Sequence, residues 1–330
     1  MTGRFVMVAM LVIAAFAVVP QAAAANSACA WRMQALQAPA GATQHQVHAT
    51  DHNGGYSGVA YFPGTGWRVM YWKDGRVIDY GSSGHGTDRV VGQNSSGTIA
   101  GTSVTGLYGA SAISFRIRGG QWERLAPLPG AELNSRAIGI SDSGDVYGHA
   151  VVWQGTSNIV VVVRWPYDRS GVVERVPGLP EGMKVIDVDH DGTLLMGTDA
   201  TYPWPHVWRD GRLTRLSEAP DMQFGYARVI ADGLVAGSIR LGSDPDRPAY
   251  WDRNGQPHVL PESALAAHIN RNGLIVSSLT STPYRVWRFG TLVGQLDDAA
   301  SVTTIGDDDT IGGTTRGQNN LPAAAVWRCT

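Results

Sequence analysis

The sequence predicts an all-β chain, a seven-bladed β-propeller of four-stranded blades closed by an N-terminal strand that completes the last blade. Three observations carry this: a repeat with a period near 40 residues, two tight turns within each repeat, and two chain ends that each hold only part of a repeat.

The unit is clearest in its fourth copy, where VIDVDHDGTLLMGT, DATYPWP and HVWRDGRLTRL follow one another from Val185 to Leu216. A short apolar segment meets a polar-Gly turn, a second β-like segment follows, a loop intervenes, and a Trp-Arg strand turns back at Asp-Gly. Both turns carry glycine where a tight hairpin needs positive φ. The first turn recurs at Gly54, Gly97, Gly144, Gly192, Gly233, Gly273 and Asp309, spaced 43, 47, 48, 41, 40 and 36 residues apart. An aromatic ahead of the second turn recurs at Trp72, Phe115, Trp165, Trp208, Trp251, Trp287 and Trp327. Two independent landmarks give seven units. A helical solenoid of this period would need apolar residues at helical spacing over ten or so positions, and none is found. Alternation such as Arg212-Leu213-Thr214-Arg215-Leu216 reads as strand. The repeated aromatics are therefore assigned to the core between blades.

The chain ends complement each other. Unit seven stops at AAAVWRCT with no fourth strand, whereas CAWRMQALQAP near the amino end resembles a fourth strand lacking its first three. Strand 31–37 is expected to complete the blade formed by 302–328, bringing Cys29 beside Cys329 for a disulfide. That bond needs an oxidising compartment.

Residues 1–25 supply one. Arg4, an apolar run from Phe5 to Val19 and an alanine-rich stretch form a secretory signal peptide, leaving 26–330 as a single propeller domain. The run is shorter than the roughly 20 residues that span a bilayer, so no membrane span is expected. The alternative destination is a lipid anchor through Cys29, because Asn26-Ser27-Ala28-Cys29 resembles a lipoprotein cleavage box apart from its polar Asn26. Charged residues make up 16% of the chain, the net charge is -2 and charges are scattered, which argues against nucleic acid as a partner. The 41 glycines and 11 tryptophans suit many short strands and turns. A monomer is expected.

The polar-Gly turn followed by AGTS or AGSI, with VWRDGRLTRL and AYWDRNGQPHVL closing later units, resembles the HAF-repeat group of bacterial extracellular proteins. His-Ala-Phe itself is absent, its nearest equivalents being Pro205-His206-Val207-Trp208 and Pro248-Ala249-Tyr250-Trp251. The resemblance implies a secreted propeller and no particular activity.

On a propeller, binding belongs to the variable loops and the central funnel, because the blades form a rigid scaffold. The loop segments 61–67, 102–110, 149–158, 199–205, 239–248 and 315–322 carry Trp67, Tyr108, Trp153, Tyr202 and Trp204, whose flat faces and polar edges suit sugar rings or a peptide. A second candidate is the row five residues before each first-turn landmark: Ala49, Gly92, Gly139, Asp187, Arg228, His268 and Thr304. In that register Asp187, Arg228 and His268 form a polar wall on three neighbouring blades, or Asp187 and Arg228 pair between blades. A third is Asp187-Val188-Asp189-His190-Asp191-Gly192, where Asp187, Asp189 and Asp191 offer hard oxygens at alternate positions for one Ca²⁺; the later acidic ligand of such loops is replaced by Leu195 and Thr198. No other cofactor is expected.

No nucleophile elbow, zinc-protease motif, phosphate loop or paired-cysteine zinc spacing occurs. The sequence thus predicts no catalytic residues and a secreted binding or interaction module that recognises an extracellular glycan or a protein through its long-loop face. The alternative is a propeller hydrolase or lyase acting on a polysaccharide, for which Asp199, Asp244 and Asp246 are the loop-face carboxylates.

Overall fold

In the computed structural model, residues 29–330 are described except 107–110, 132–133, 155–156, 199–203, 263 and 279–282. The expected signal peptide lies outside the described residues. Seven four-stranded antiparallel sheets are formed, and each inner strand packs against the inner strands of the blades on either side, the first against the last, so the ring is closed. The inner strands are Gln44–Thr50, Thr87–Gln93, Ser135–Ile140, Met183–Val188, Met222–Ala231, Leu265–Ile269 and Ala299–Ile305.

Both repeat landmarks have clear physical roles. All seven first-turn residues, Asp309 included, adopt positive φ; at φ 61° Asp309 uses the left-handed region that Asp tolerates better than most residues. The aromatics lie on the third strands, and Trp165, Trp251, Trp287 and Trp327 are among the largest fully buried side chains. Several indoles also fasten the connection entering their own blade: Trp72 Nε1 donates to Gln37 O at 2.9 Å, Trp165 to Ala126 O at 2.7 Å and Trp251 to Ser217 O at 3.0 Å. Burial with a satisfied N–H makes these anchors worth about 3–5 kcal/mol each on truncation to Ala. Trp208 departs from the pattern, being only half-buried with no hydrogen-bond partner for its Nε1.

A β-bulge recurs near the middle of every inner strand. The register shifts at 47/49, 90/92, 137/139, 185/187, 227/229, 266/268 and 302/304, leaving one extra residue on the inner strand each time. The carbonyl before the bulge then approaches the second strand so closely that Cβ atoms on Gly58, Gly148 and Gly237 would lie 1.9 Å from Gln46 O, Arg136 O and Tyr226 O. The glycine of AGTS and AGSI is needed for this approach.

The last blade pairs in the order Trp31–Ala35, Pro322–Cys329, Ile311–Arg316, Ala299–Ile305, so the amino end supplies its outer strand. Trp31 lies opposite Cys329, and a Cys29–Cys329 disulfide joins residues 300 apart in sequence with Cα atoms 5.4 Å apart. Its location explains its use. Two residues after Trp72 and Trp208 the chain turns at Asp74-Gly75 and Asp210-Gly211, whereas two residues after Trp327 stands Cys329. The disulfide occupies the place of the missing turn.

Candidate functional site

In each blade the first and third turns emerge on one face of the ring, the short-turn face, and the connections from second to third strand on the other, the long-loop face. A cavity of about 490 Å³ opens on the long-loop face across blades 4 to 6, with Lys184, Trp204, Tyr226, Arg228 and His268 in its lining. It sits where inner strands begin, so the blades hold its backbone positions. Arg215 stacks its guanidinium 4.1 Å from the Trp204 ring centre, and His206 Nδ1 lies 2.8 Å from Trp204 O, holding this aromatic at the rim. Tyr226 is 53% exposed. His149 reaches in from blade 3 and accepts a 2.6 Å bond from Val185 N. Among the described residues Arg228 makes no ion pair.

The predicted polar wall is rearranged by the bulge. In blade 5 the first turn is only the two residues Asp232-Gly233, while blade 4 turns through Asp189–Thr193. Counting back from Gly233 therefore overshoots by one: Val229, opposite Ala236, is the partner of Asp187, opposite Leu195. Arg228 is the bulge residue and turns into the long-loop cavity, whereas Asp187 and His268 border the central channel. Asp187 accepts a 2.8 Å bond from Ile230 N and makes no ion pair with Arg228. Burial raises Asp187 to about 7 and lowers His268 to about 4, disfavouring charge at the channel wall.

The three carboxylates expected to share a calcium ion face different donors. Asp189 is 1% exposed and accepts from Asp232 N at 2.7 Å and Gly233 N at 2.8 Å, fastening blade 4 to blade 5. Asp191 accepts from Thr193 N and Arg209, and Asp187 from Ile230 N. Their oxygens do not converge on one point.

The loop aromatics separate into groups. The 61–67 segment is a tight hairpin, with Tyr61 opposite Trp67 and their rings 5.4 Å apart, and Trp67 packs against the core of blades 1 and 2. Trp153 stands 66% exposed near the tip of the hairpin joining Val146–Gln154 to Ser157–Trp165. Tyr108 and Tyr202 lie outside the described residues, as does Asp199. Asp244 pairs with Arg247 at 3.0 Å and Asp246 with Arg240 at 2.7 Å, so both loop carboxylates are engaged by cations.

One constellation went unread in the sequence. Two residues before the first-turn landmarks stand His52, Ser95, Asp142, His190, Arg271 and Asp307 in blades 1, 2, 3, 4, 6 and 7. The ring gathers several of them at the channel mouth on the short-turn face. His52 Nδ1 lies 3.3 Å and His190 Nε2 3.7 Å from Asp307 Oδ2, with the imidazoles edge to face at 4.3 Å. Asp142 Oδ2 is 3.6 Å from His190 Nδ1, and Arg271 Nη2 is 2.5 Å from Asp307 Oδ2. Burial, then the neighbouring His190, lowers His52 to about 4. Burial would raise Asp142, but the Ser95 donors more than offset it and hold the carboxyl below its usual range. The available signal was the shared repeat position of residues up to 255 apart in sequence.

No family model and no curated protein matches this chain. Among solved structures it is similar to prolyl oligopeptidase B from Galerina marginata (12% identity, TM-score 0.58, covering 88% of this chain and 51% of that one). It is also similar to puromycin hydrolase (14%, 0.58, 88% and 54%) and to the WD40 β-propeller domain of Doa1 (11%, 0.52, 91% and 97%). The chain thus spans about half the length of the first two. At these identities the likeness concerns the propeller fold.

Proposed function

We propose that the chain is a secreted binding module that holds a segment of an acidic extracellular glycan in the cavity on its long-loop face. The observation that carries this reading is the pairing of cations with flat aromatics in one cavity: Lys184 and Arg228 beside Trp204 and Tyr226. Aromatic faces stack on sugar rings while guanidinium and ammonium groups meet carboxylates, a division of labour that favours uronate-type polymers over neutral ones. The blades keep the cavity preformed, so little ordering cost opposes binding. The disulfide suits an oxidising destination, and residues 1–25 have the make-up of an export signal. The resemblance of the repeat to HAF-repeat extracellular proteins supports this reading.

Titration of the mature chain with polygalacturonate and with its neutral methyl ester tests the proposal. Acidic polymer should bind, the ester should bind at least tenfold more weakly, and Arg228→Ala and Trp204→Ala should each weaken acidic binding about tenfold. Equal binding of both polymers, or unaltered binding by both variants, would refute it. Binding confined to acidic peptides would transfer the cavity to a protein ligand, and release of reducing ends would replace binding with polysaccharide cleavage.

A further inference from the structure

We propose that His52, His190 and Asp307 form a site for one divalent transition-metal ion of the zinc class at the channel mouth on the short-turn face. The inference is independent of the glycan reading, which concerns the opposite face.

Each ligand comes from the same repeat position of a different blade, and blade 4 faces blades 1 and 7 across the channel. Zinc binds imidazole nitrogen at about 2.0–2.1 Å and carboxylate oxygen at about 2.0–2.2 Å, which puts tetrahedral ligand atoms roughly 3.3–3.5 Å apart. The separations of 3.3 and 3.7 Å from Asp307 Oδ2 to the two imidazole nitrogens are close to that edge length. His52 Nδ1 is buried and makes no hydrogen bond, so its contact with the carboxylate leaves the nitrogen without a partner. His190 is oriented from behind. Asp142 Oδ2 faces its Nδ1 at 3.6 Å, and the other oxygen of that carboxylate, Oδ1, accepts from Ser95 N at 3.0 Å. A carboxylate on one imidazole nitrogen directs the other toward a metal and raises its basicity. Two imidazoles with one carboxylate favour zinc, nickel or copper over calcium or magnesium, and three protein ligands leave one tetrahedral position for water.

Arg271 competes for the site. Its Nη2 shares Asp307 Oδ2, but the side chain is 48% exposed and can move outward when an ion neutralises the carboxylate. A metal there would fasten blades 1, 4 and 7 across the ring.

The test uses the untagged mature chain, stripped with chelator and titrated with zinc chloride alone at neutral pH. One zinc per chain should bind and raise the melting temperature. His190→Ala and His52→Ala should each weaken binding at least 100-fold, Asp142→Asn by 10–100-fold, and Arg271→Ala should tighten it. Cobalt should give the absorption of a tetrahedral site in the wild type and lose it in His190→Gln, a milder variant whose circular dichroism reports whether the fold is intact. Absence of stoichiometric zinc binding, or binding unchanged in both folded histidine variants, would overturn the site.

Discussion

The two faces of the ring use the same repeat for opposite ends. On the short-turn face the connections run two to five residues, apart from the eight residues 166–173 of blade 3, many hydrogen-bond from blade to blade, and the disulfide takes the place of the one missing turn. Asn94 Nδ2 reaches Ser141 O in the next blade, Asp189 accepts from the turn of blade 5, and Asn270 Nδ2 reaches Gly306 O in blade 7. On the long-loop face the connections vary, aromatics stand exposed, and a cavity lies open. Polar groups on the first face are mostly consumed by the protein, whereas on the second Arg228, Tyr226 and Trp153 project outward. The contrast teaches that turn chemistry spent on closing the ring frees the other rim to vary.

Mutations that break the fastened face should have the largest effects. Cys329→Ala removes a cross-link of 300 residues and should lower stability by about 3–5 kcal/mol in urea unfolding, and peptide mapping without reductant should recover Cys29 joined to Cys329 in the parent chain. Asp189→Ala leaves the N–H groups of Asp232 and Gly233 without acceptors and should cost about 2–4 kcal/mol by the same assay. Between the faces, Asp187 titrates near 7 when folded against 3.8 ordinarily, so from pH 4 to 7 the folded chain retains a proton that the unfolded chain has lost. Stability from this group therefore falls as pH rises through that window. Asp187→Asn should remove that slope and gain about 2 kcal/mol at pH 8 relative to pH 5, an amount reduced for partial screening at the channel wall. On the receptive face, Trp153→Ala should move stability by less than about 0.5 kcal/mol.

The seven units, the complementary ends and the cysteine pair were legible because turns and core aromatics impose local requirements that survive in each repeat. Arg228 was placed one residue out because glycine is the fourth residue of the five-residue turn Asp189–Thr193 but the second of the two-residue turn Asp232-Gly233, and only the strand register tells the two turns apart. The 61–67 segment resembled a loop because Pro63-Gly64-Thr65 is turn chemistry, yet its flanks continue the hairpin. Calcium was read from carboxylate spacing, but Asp189 is directed between blades, a choice set by a neighbour 43 residues away. The His52, His190 and Asp307 group has no linear spacing at all and becomes visible only when equivalent turns are superposed around the ring axis.

Amide hydrogen exchange on the mature chain, followed by mass spectrometry, tests the division between the faces most directly. Turn peptides containing Asp51–Gly55, Asp189–Thr193 and Asn270–Leu274 should exchange slowly, because their amides bond within and between blades, while the hairpin tip 242–246, between strands Leu234–Leu241 and Arg247–Trp251, should exchange at least tenfold faster. Equal protection of the two faces, or faster exchange at the first turns, would contradict it.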